Sequence, residues 1–172
     1  LRKYNYELWK LAASILVFST IIISPKANAQ NLLKPQQLAP LQNSVTPNSK
    51  EVDTYFTQGF KKVELKDYRG AIADFNKILE IDPNNAYAYL GRGFSRFGLE
   101  SYEGAKKDFD KALEITPNIA YAHFFRGFTL VMLEDKQGAI ADLQKASTLF
   151  KEEGKDEFAQ KADNAVKQIE AS

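Results

Sequence analysis

The sequence predicts an all-α solenoid of three helical hairpins and a closing helix, and three observations carry that reading. Self-comparison at an offset of 34 residues aligns three blocks between residues 52 and 153. Apolar residues recur at helical spacing in two runs per block, roughly 52–65 and 68–81 in the first. Cap and breaker residues fall between and after the runs at matching places. A fixed period of this size is the mark of a repeat array, in which each unit buries its apolar face only against its neighbours.

The register is dense. Tyr55, Tyr89 and His123 align, as do Gly59, Gly93 and Gly127, and Phe60, Phe94 and Phe128. Ala71, Ala105 and Ala139 follow, then Asp74, Asp108 and Asp142, then Phe75, Phe109 and Leu143, then Lys77, Lys111 and Lys145. Asp67, Ser101 and Asp135 stand where each second helix starts and are suited to accept from its free first-turn amides. Asp82-Pro83-Asn84 and Thr116-Pro117-Asn118 end the second helices, because proline disfavours helical geometry in the residue before it. Glycine inside a helix costs about 1 kcal/mol relative to alanine. Its recurrence at Gly59, Gly93 and Gly127 therefore implies close approach of the second helix, with Ala71, Ala105 and Ala139 expected opposite. Gly70, Gly104 and Gly138 recur in the first turn of the second helices, and the sequence offers no account of them beyond close contact.

Beyond the blocks, Phe158, Ala162, Ala165, Val166 and Ile169 make one apolar stripe over 155–170, with Lys155, Glu157, Gln160, Lys161, Lys167 and Glu170 on the other face. That pattern predicts a capping helix for the last open hydrophobic surface.

Upstream, residues 1–29 read as a secretory signal. Arg2, Lys3 and Lys10 precede the apolar run Leu11 to Ile23, Pro25 and Lys26 break it, and Ala27-Asn28-Ala29 is a small-x-small cleavage pattern. A spanning helix needs about 20 apolar residues, so an uncleaved membrane anchor is the alternative rather than the first reading. Residues 30–50, with Pro35, Pro40 and Pro47 among Gln, Asn and Ser, read as a flexible linker. Its Leu32, Leu33, Leu38 and Leu41 are the residues with which it would fold back on the repeats.

Composition narrows the function. The 23 basic and 22 acidic residues nearly cancel, and from Gln30 onward 19 basic residues face 21 acidic ones, which is no footprint for nucleic acid. With no cysteine, disulfides, thiol catalysis and Cys-ligated metals are excluded. The single histidine, His123, replaces Tyr55 and Tyr89 in register and reads as a packing residue with no nucleophile–base set around it. Asp108 and Asp110, on lysine-lined helices, read as solvated faces rather than catalytic carboxylates. No phosphate loop or metal-ligand spacing appears, so neither an enzyme nor a cofactor is expected.

On these residues the chain resembles the tetratricopeptide repeat family, with copies at 52–85, 86–119 and 120–153. The second copy carries Tyr89, Gly93, Ala105, Phe109, Ala112 and Pro117 at the family's positions. The three copies depart from the pattern where Gln58, Arg92 and Arg126 replace a leucine and where Lys62, Arg96 and Leu130 replace a tyrosine, and the third also at Lys151 in place of proline. These changes suggest a polar seam in which Arg92 and Arg126 pair with Asp74, Asp108 or Asp142. The resemblance implies a concave groove lined by the first helices, with Phe56, Phe60, Leu90, Phe94, Phe97, Phe124, Phe128 and Val131 as partner-binding candidates. The family's carboxylate-clamp positions hold Phe56, Phe60, Gly91, Tyr121 and Phe125, so a partner's charged C-terminus is not the expected ligand. An apolar or amphipathic peptide segment of another protein is. The expected role is an adaptor, scaffold or assembly factor in the periplasm or another extracytoplasmic space, with a self-associating solenoid (a homo-oligomer) as the alternative.

Overall fold

Helix starts and stops follow the caps and breaks of the sequence. The computed structural model describes residues 47–171. They form α1 (Pro47–Glu64), α2 (Tyr68–Ile81), α3 (Ala86–Gly98), α4 (Tyr102–Ile115), α5 (Ala120–Met132), α6 (Lys136–Glu152) and α7 (Asp156–Glu170), with no strand among the described residues. The expected signal and linker residues up to 46 lie outside the described residues. The end of the expected linker is helical instead, since α1 begins at Pro47. Proline suits a first helical position, where its missing amide hydrogen loses no bond and its fixed φ matches the helix.

Asp67 and Asp135 cap α2 and α6, accepting from the amides of Gly70 at 3.0 Å and Gly138 at 2.9 Å. Ser101 differs from expectation and makes no side-chain capping bond to α4. Asn85, which the sequence reading passed over, caps α3 by accepting from the Ala88 amide at 3.0 Å. The caps also explain the glycines of the second-helix first turn. A Cβ on Gly138 would lie 2.5 Å from Asp135 Oδ2, one on Gly104 would lie 3.0 Å from Ser101 Oγ, and one on Gly70 would collide with the Asp67 carboxylate.

The first helices end in left-handed turns at Lys66, Glu100 and Glu134, with φ of 61°, 60° and 64°. In each, two amides return to the helix, as in Lys66 N to Val63 O at 2.9 Å and Asp67 N to Lys62 O at 2.8 Å. The helix α6 outlasts α2 and α4 because Lys151 stands where they meet proline. It runs to Glu152 and closes on Gly154, φ 70°, with Lys155 N bonded to Phe150 O at 2.8 Å.

Each helix packs on the next along the chain, and the first helices also meet one another, α1 with α3 and α3 with α5. Within each hairpin the mid-helix glycine admits a side chain of the second helix. A Cβ on Gly59 would meet Phe75 Cζ at 3.0 Å, on Gly93 the Phe109 ring at 2.8 Å, and on Gly127 Leu143 Cγ at 2.8 Å. The nearest atoms are thus those of Phe75, Phe109 and Leu143 rather than the expected alanines, all six residues being fully buried.

Both ends of the stack are polar. Gly91 faces the preceding hairpin through the Phe75 ring, and Phe125 does so through Phe94 and Phe109. Ala88, Gly91 and Ser95 are buried, as are Ala122, Phe125 and Thr129, whereas their counterparts in α1, Thr54, Thr57 and Lys61, are exposed. At the other end α7 buries Ala159, Ala162, Ala165, Val166 and Ile169 and exposes Gln160, Asn164 and Lys167. Among the described residues, the outward sides of α1 and α7 at the two ends of the stack are thus polar.

Two stability outcomes follow from this geometry. Replacing Lys66, Glu100 or Glu134 singly by glycine removes the Cβ penalty of a left-handed residue and should stabilise the fold by about 0.5–1 kcal/mol each in urea unfolding. Gly91→Ala forces the added methyl into the Phe75 ring and should cost about 1–3 kcal/mol in the same measurement.

Candidate partner-binding face

The first helices α1, α3 and α5 carry all eight groove residues expected from the sequence, and the structure divides them. Phe56, Leu90, Phe97, Phe124 and Phe128 are buried, Phe124 fully and Phe128 to 2% exposure. Phe124 sits edge-on to Phe125, Phe128 and Phe150 at centroid distances of 5.5, 4.8 and 5.8 Å, so it packs α5 onto α6. Phe97 meets Tyr102 across the α3–α4 turn at 5.6 Å. These five residues build the wall of the face rather than its surface. Phe60, Phe94 and Val131 are half-buried and keep part of each side chain open. Phe60 stacks on Phe56 at 6.0 Å, and Phe94 stands edge-on to Phe125 at 4.8 Å, which fixes both rings from below.

Tyr87 was missed in the sequence reading and is the exposed aromatic of this face, at 38%. It precedes Leu90 by three residues, one turn earlier on the same side of α3. The signal was present, since Tyr121 stands 34 residues later at the same position of α5. Tyr121 is covered by α6 and α7, its ring 4.9 Å from Phe150 and 5.4 Å from Phe158, with Lys155 Nζ 4.9 Å above it. Burial, with the charge of Glu153, pushes its hydroxyl well above the usual tyrosine range.

A polar seam holds the first helices in place. Arg92 grips Asp108 with two nitrogens, Nε to Oδ2 at 3.0 Å and Nη2 to Oδ1 at 2.7 Å, and reaches back through Nη1 to Asn76 Oδ1 at 2.7 Å. Arg126 repeats this one unit later, with Nε to Asp142 Oδ2 at 2.6 Å, Nη2 to Asp142 Oδ1 at 2.7 Å, and Nη1 to Asp110 Oδ1 at 2.8 Å. Each arginine thereby ties its own hairpin shut and hooks the hairpin before it. Asp108 takes a second cation, Arg96 Nη1 at 2.8 Å, while Asp74, whose hairpin has Gln58 in place of the arginine, has Lys62 Nζ beside it at 2.7 Å, an ion pair off the line of a hydrogen bond. Asp108 is therefore a buried seam residue rather than part of a solvated face. His123 is more than packing, its Nδ1 lying 2.9 Å from Asp142 Oδ1 and its Nε2 3.0 Å from the Pro117 carbonyl. Burial works against the Asp142 charge, but the hydrogen bonds from Arg126 and His123 more than offset it and hold the carboxyl below its ordinary range.

No cluster of three or more metal-ligating side chains occurs among the described residues, and none of the described helices is long and apolar enough to cross a membrane.

The tetratricopeptide repeat family model matches residues 52–85 and 86–119. Solved structures share the fold. The TPR2B domain of yeast Sti1, in its pHsp70 complex, superposes with a TM-score of 0.67 at 20% identity, over 72% of this chain and 98% of that one. PcrH in complex with the chaperone binding region of PopD gives 0.67 at 20% identity, over 71% and 92%. The first TPR of Spaghetti (RPAP3), bound to the HSP90 peptide SRMEEVD, gives 0.65 at 21% identity, over 72% and 93%. No curated protein matches the chain by sequence. The described residues thus form an all-α repeat solenoid whose first two hairpins match the tetratricopeptide repeat model, and α5 and α6 make a third helical hairpin beyond the matched residues.

The seam gives a pH outcome. Because the folded state lowers the Asp142 pKa, its stabilising effect is complete above the ordinary carboxylate value of about 3.9 and is lost as pH falls through the lower folded value. Asp142→Asn should therefore be less stable than wild type at pH 7. The gap should close between pH 4 and the acid limit of folding when urea midpoints are compared across pH.

Proposed function

We propose that this chain is a protein–protein interaction module, an adaptor, scaffold or assembly factor, that holds an apolar or amphipathic peptide segment of another protein along its first helices. The observation that carries this reading is the row of partly open apolar side chains on adjacent first helices, Phe60 on α1, Tyr87 and Phe94 on α3, and Val131 on α5. Rings braced from below by Phe56 and Phe125 are already ordered, so docking on them costs little side-chain entropy. Structures of this fold that hold a peptide or a chaperone binding region support a peptide-holding role. They do not support the same ligand. Phe56, Phe60, Gly91, Tyr121 and Phe125 supply no cation for a terminal carboxylate, which favours an apolar segment docked as a helix or an extended strand.

The apolar run and cleavage pattern of residues 1–29 support export to the periplasm or another extracytoplasmic space, with retention as a membrane anchor the alternative. The exposed Thr54, Thr57 and Lys61 weigh against end-on self-association.

The test is a pull-down from an envelope fraction, comparing the wild-type chain with a Tyr87→Glu/Phe94→Ser variant whose helical circular dichroism matches it. A bound protein should fall roughly tenfold with the variant, the loss of about 1.4 kcal/mol of contact. Equal retention by both proteins would place the binding surface elsewhere.

A further inference from the structure

Asp74, Asp108 and Asp142 stand at equivalent places and differ in the group that reaches them besides the seam arginines Arg92 and Arg126. Asp74 receives Lys62 and Asp108 receives Arg96, and these two cations occupy one repeat position. In the third hairpin that position is Leu130, and the group beside the aspartate comes from His123, where the other copies carry Tyr55 and Tyr89. A permanent charge has been exchanged for one that depends on a proton.

The ring has an acceptor at each nitrogen, Asp142 Oδ1 at Nδ1 and the Pro117 carbonyl at Nε2. A neutral imidazole has one N–H and can satisfy one of them, leaving the other nitrogen's lone pair against an oxygen. The doubly protonated ring donates to both. We propose that His123 is a proton-operated latch. Protonated, it ties the α4–α5 turn at Pro117 to α6 at Asp142, and deprotonated, it must let one of them go.

The surrounding charges come from every element packed there. Asp142 of α6 favours the protonated ring. Arg126 of α5, which shares Asp142 Oδ1, opposes it, and Asp110 of α4 in turn draws on Arg126. The doubly protonated ring makes both contacts and the neutral ring makes one, so the tie between the α4–α5 turn and α6 is complete only while both nitrogens carry a proton.

His123→Tyr restores the residue that the first two hairpins fold with and serves as the comparison. With a single histidine, the ring nitrogen resonances need no assignment. Between pH 5 and pH 8 the ring should pass from two N–H signals to one. The amides of Asn118 and Ile119 should shift with the same midpoint, and amide exchange at the start of α5 should quicken severalfold on the alkaline side. The melting temperature of wild type should fall by a few degrees relative to His123→Tyr over that range. A ring that titrates with Asn118 and Ile119 unmoved, or a melting difference that stays flat, overturns the latch.

Discussion

Everything in this solenoid depends on how closely the two helices of a hairpin approach. The approach is set where Gly59, Gly93 and Gly127 receive Phe75, Phe109 and Leu143. A methyl group at any of the three would sit at or inside the contact limit of the opposing side chain. Each glycine weakens its own helix, and the cost is offset by burying a large side chain completely, worth about 1.5–3 kcal/mol. Gly91 extends the device between hairpins. There the Phe75 ring passes beyond its own hairpin to fill the place that Phe125 fills one unit later. One ring therefore fixes both the closure of the first hairpin and its docking on the second.

Such packing sets distance but not registry, since apolar surfaces slide. The seam supplies registry. Arg92 and Arg126 each bind an aspartate of their own hairpin with two nitrogens and spend the third on the preceding one, at Asn76 and Asp110. A half-buried ion pair contributes little net stability against an apolar substitute, because desolvation consumes most of the Coulombic gain. Its geometry, though, admits one alignment. Replacing leucine by arginine at this position thus exchanges some hydrophobic burial for a fixed repeat-to-repeat angle, and that angle sets the curvature on which the first helices are displayed.

The repeats, hairpins and closing helix were legible in the sequence because each is signalled by recurrence, and the Arg92 and Arg126 pairings followed from polar residues placed where apolar ones belong. The exposure of the proposed binding face was less legible. Alignment with the family puts Phe56, Phe60, Leu90, Phe94, Phe97, Phe124, Phe128 and Val131 on the first helices, but it cannot separate a ring pointing at the next helix from one pointing past it. A rotation of one residue, 100° on a helix, decides that. Phe124 is core because α6 brings Phe150 against it, a contact between residues 26 apart that no periodicity encodes. His123 read as a packing residue because its register partners are tyrosines.

The division of the aromatic residues bears on how tightly such a face can hold anything. Five of the eight expected groove residues are spent on the fold, so a ligand covers only the remaining open parts of Phe60, Phe94 and Val131 together with Tyr87. Fully burying an exposed apolar side chain contributes about 1.5–3 kcal/mol, and these residues have only part of that left to give. Against this stands the loss of translational and rotational freedom on association, several kcal/mol at least. Apolar contact with this face alone therefore leaves little surplus. A segment held in the nanomolar range would need main-chain hydrogen bonds or contacts beyond the first helices, whereas a segment held by these rings alone would exchange rapidly. Rapid exchange suits a module that delivers or assembles its partner better than one that stores it.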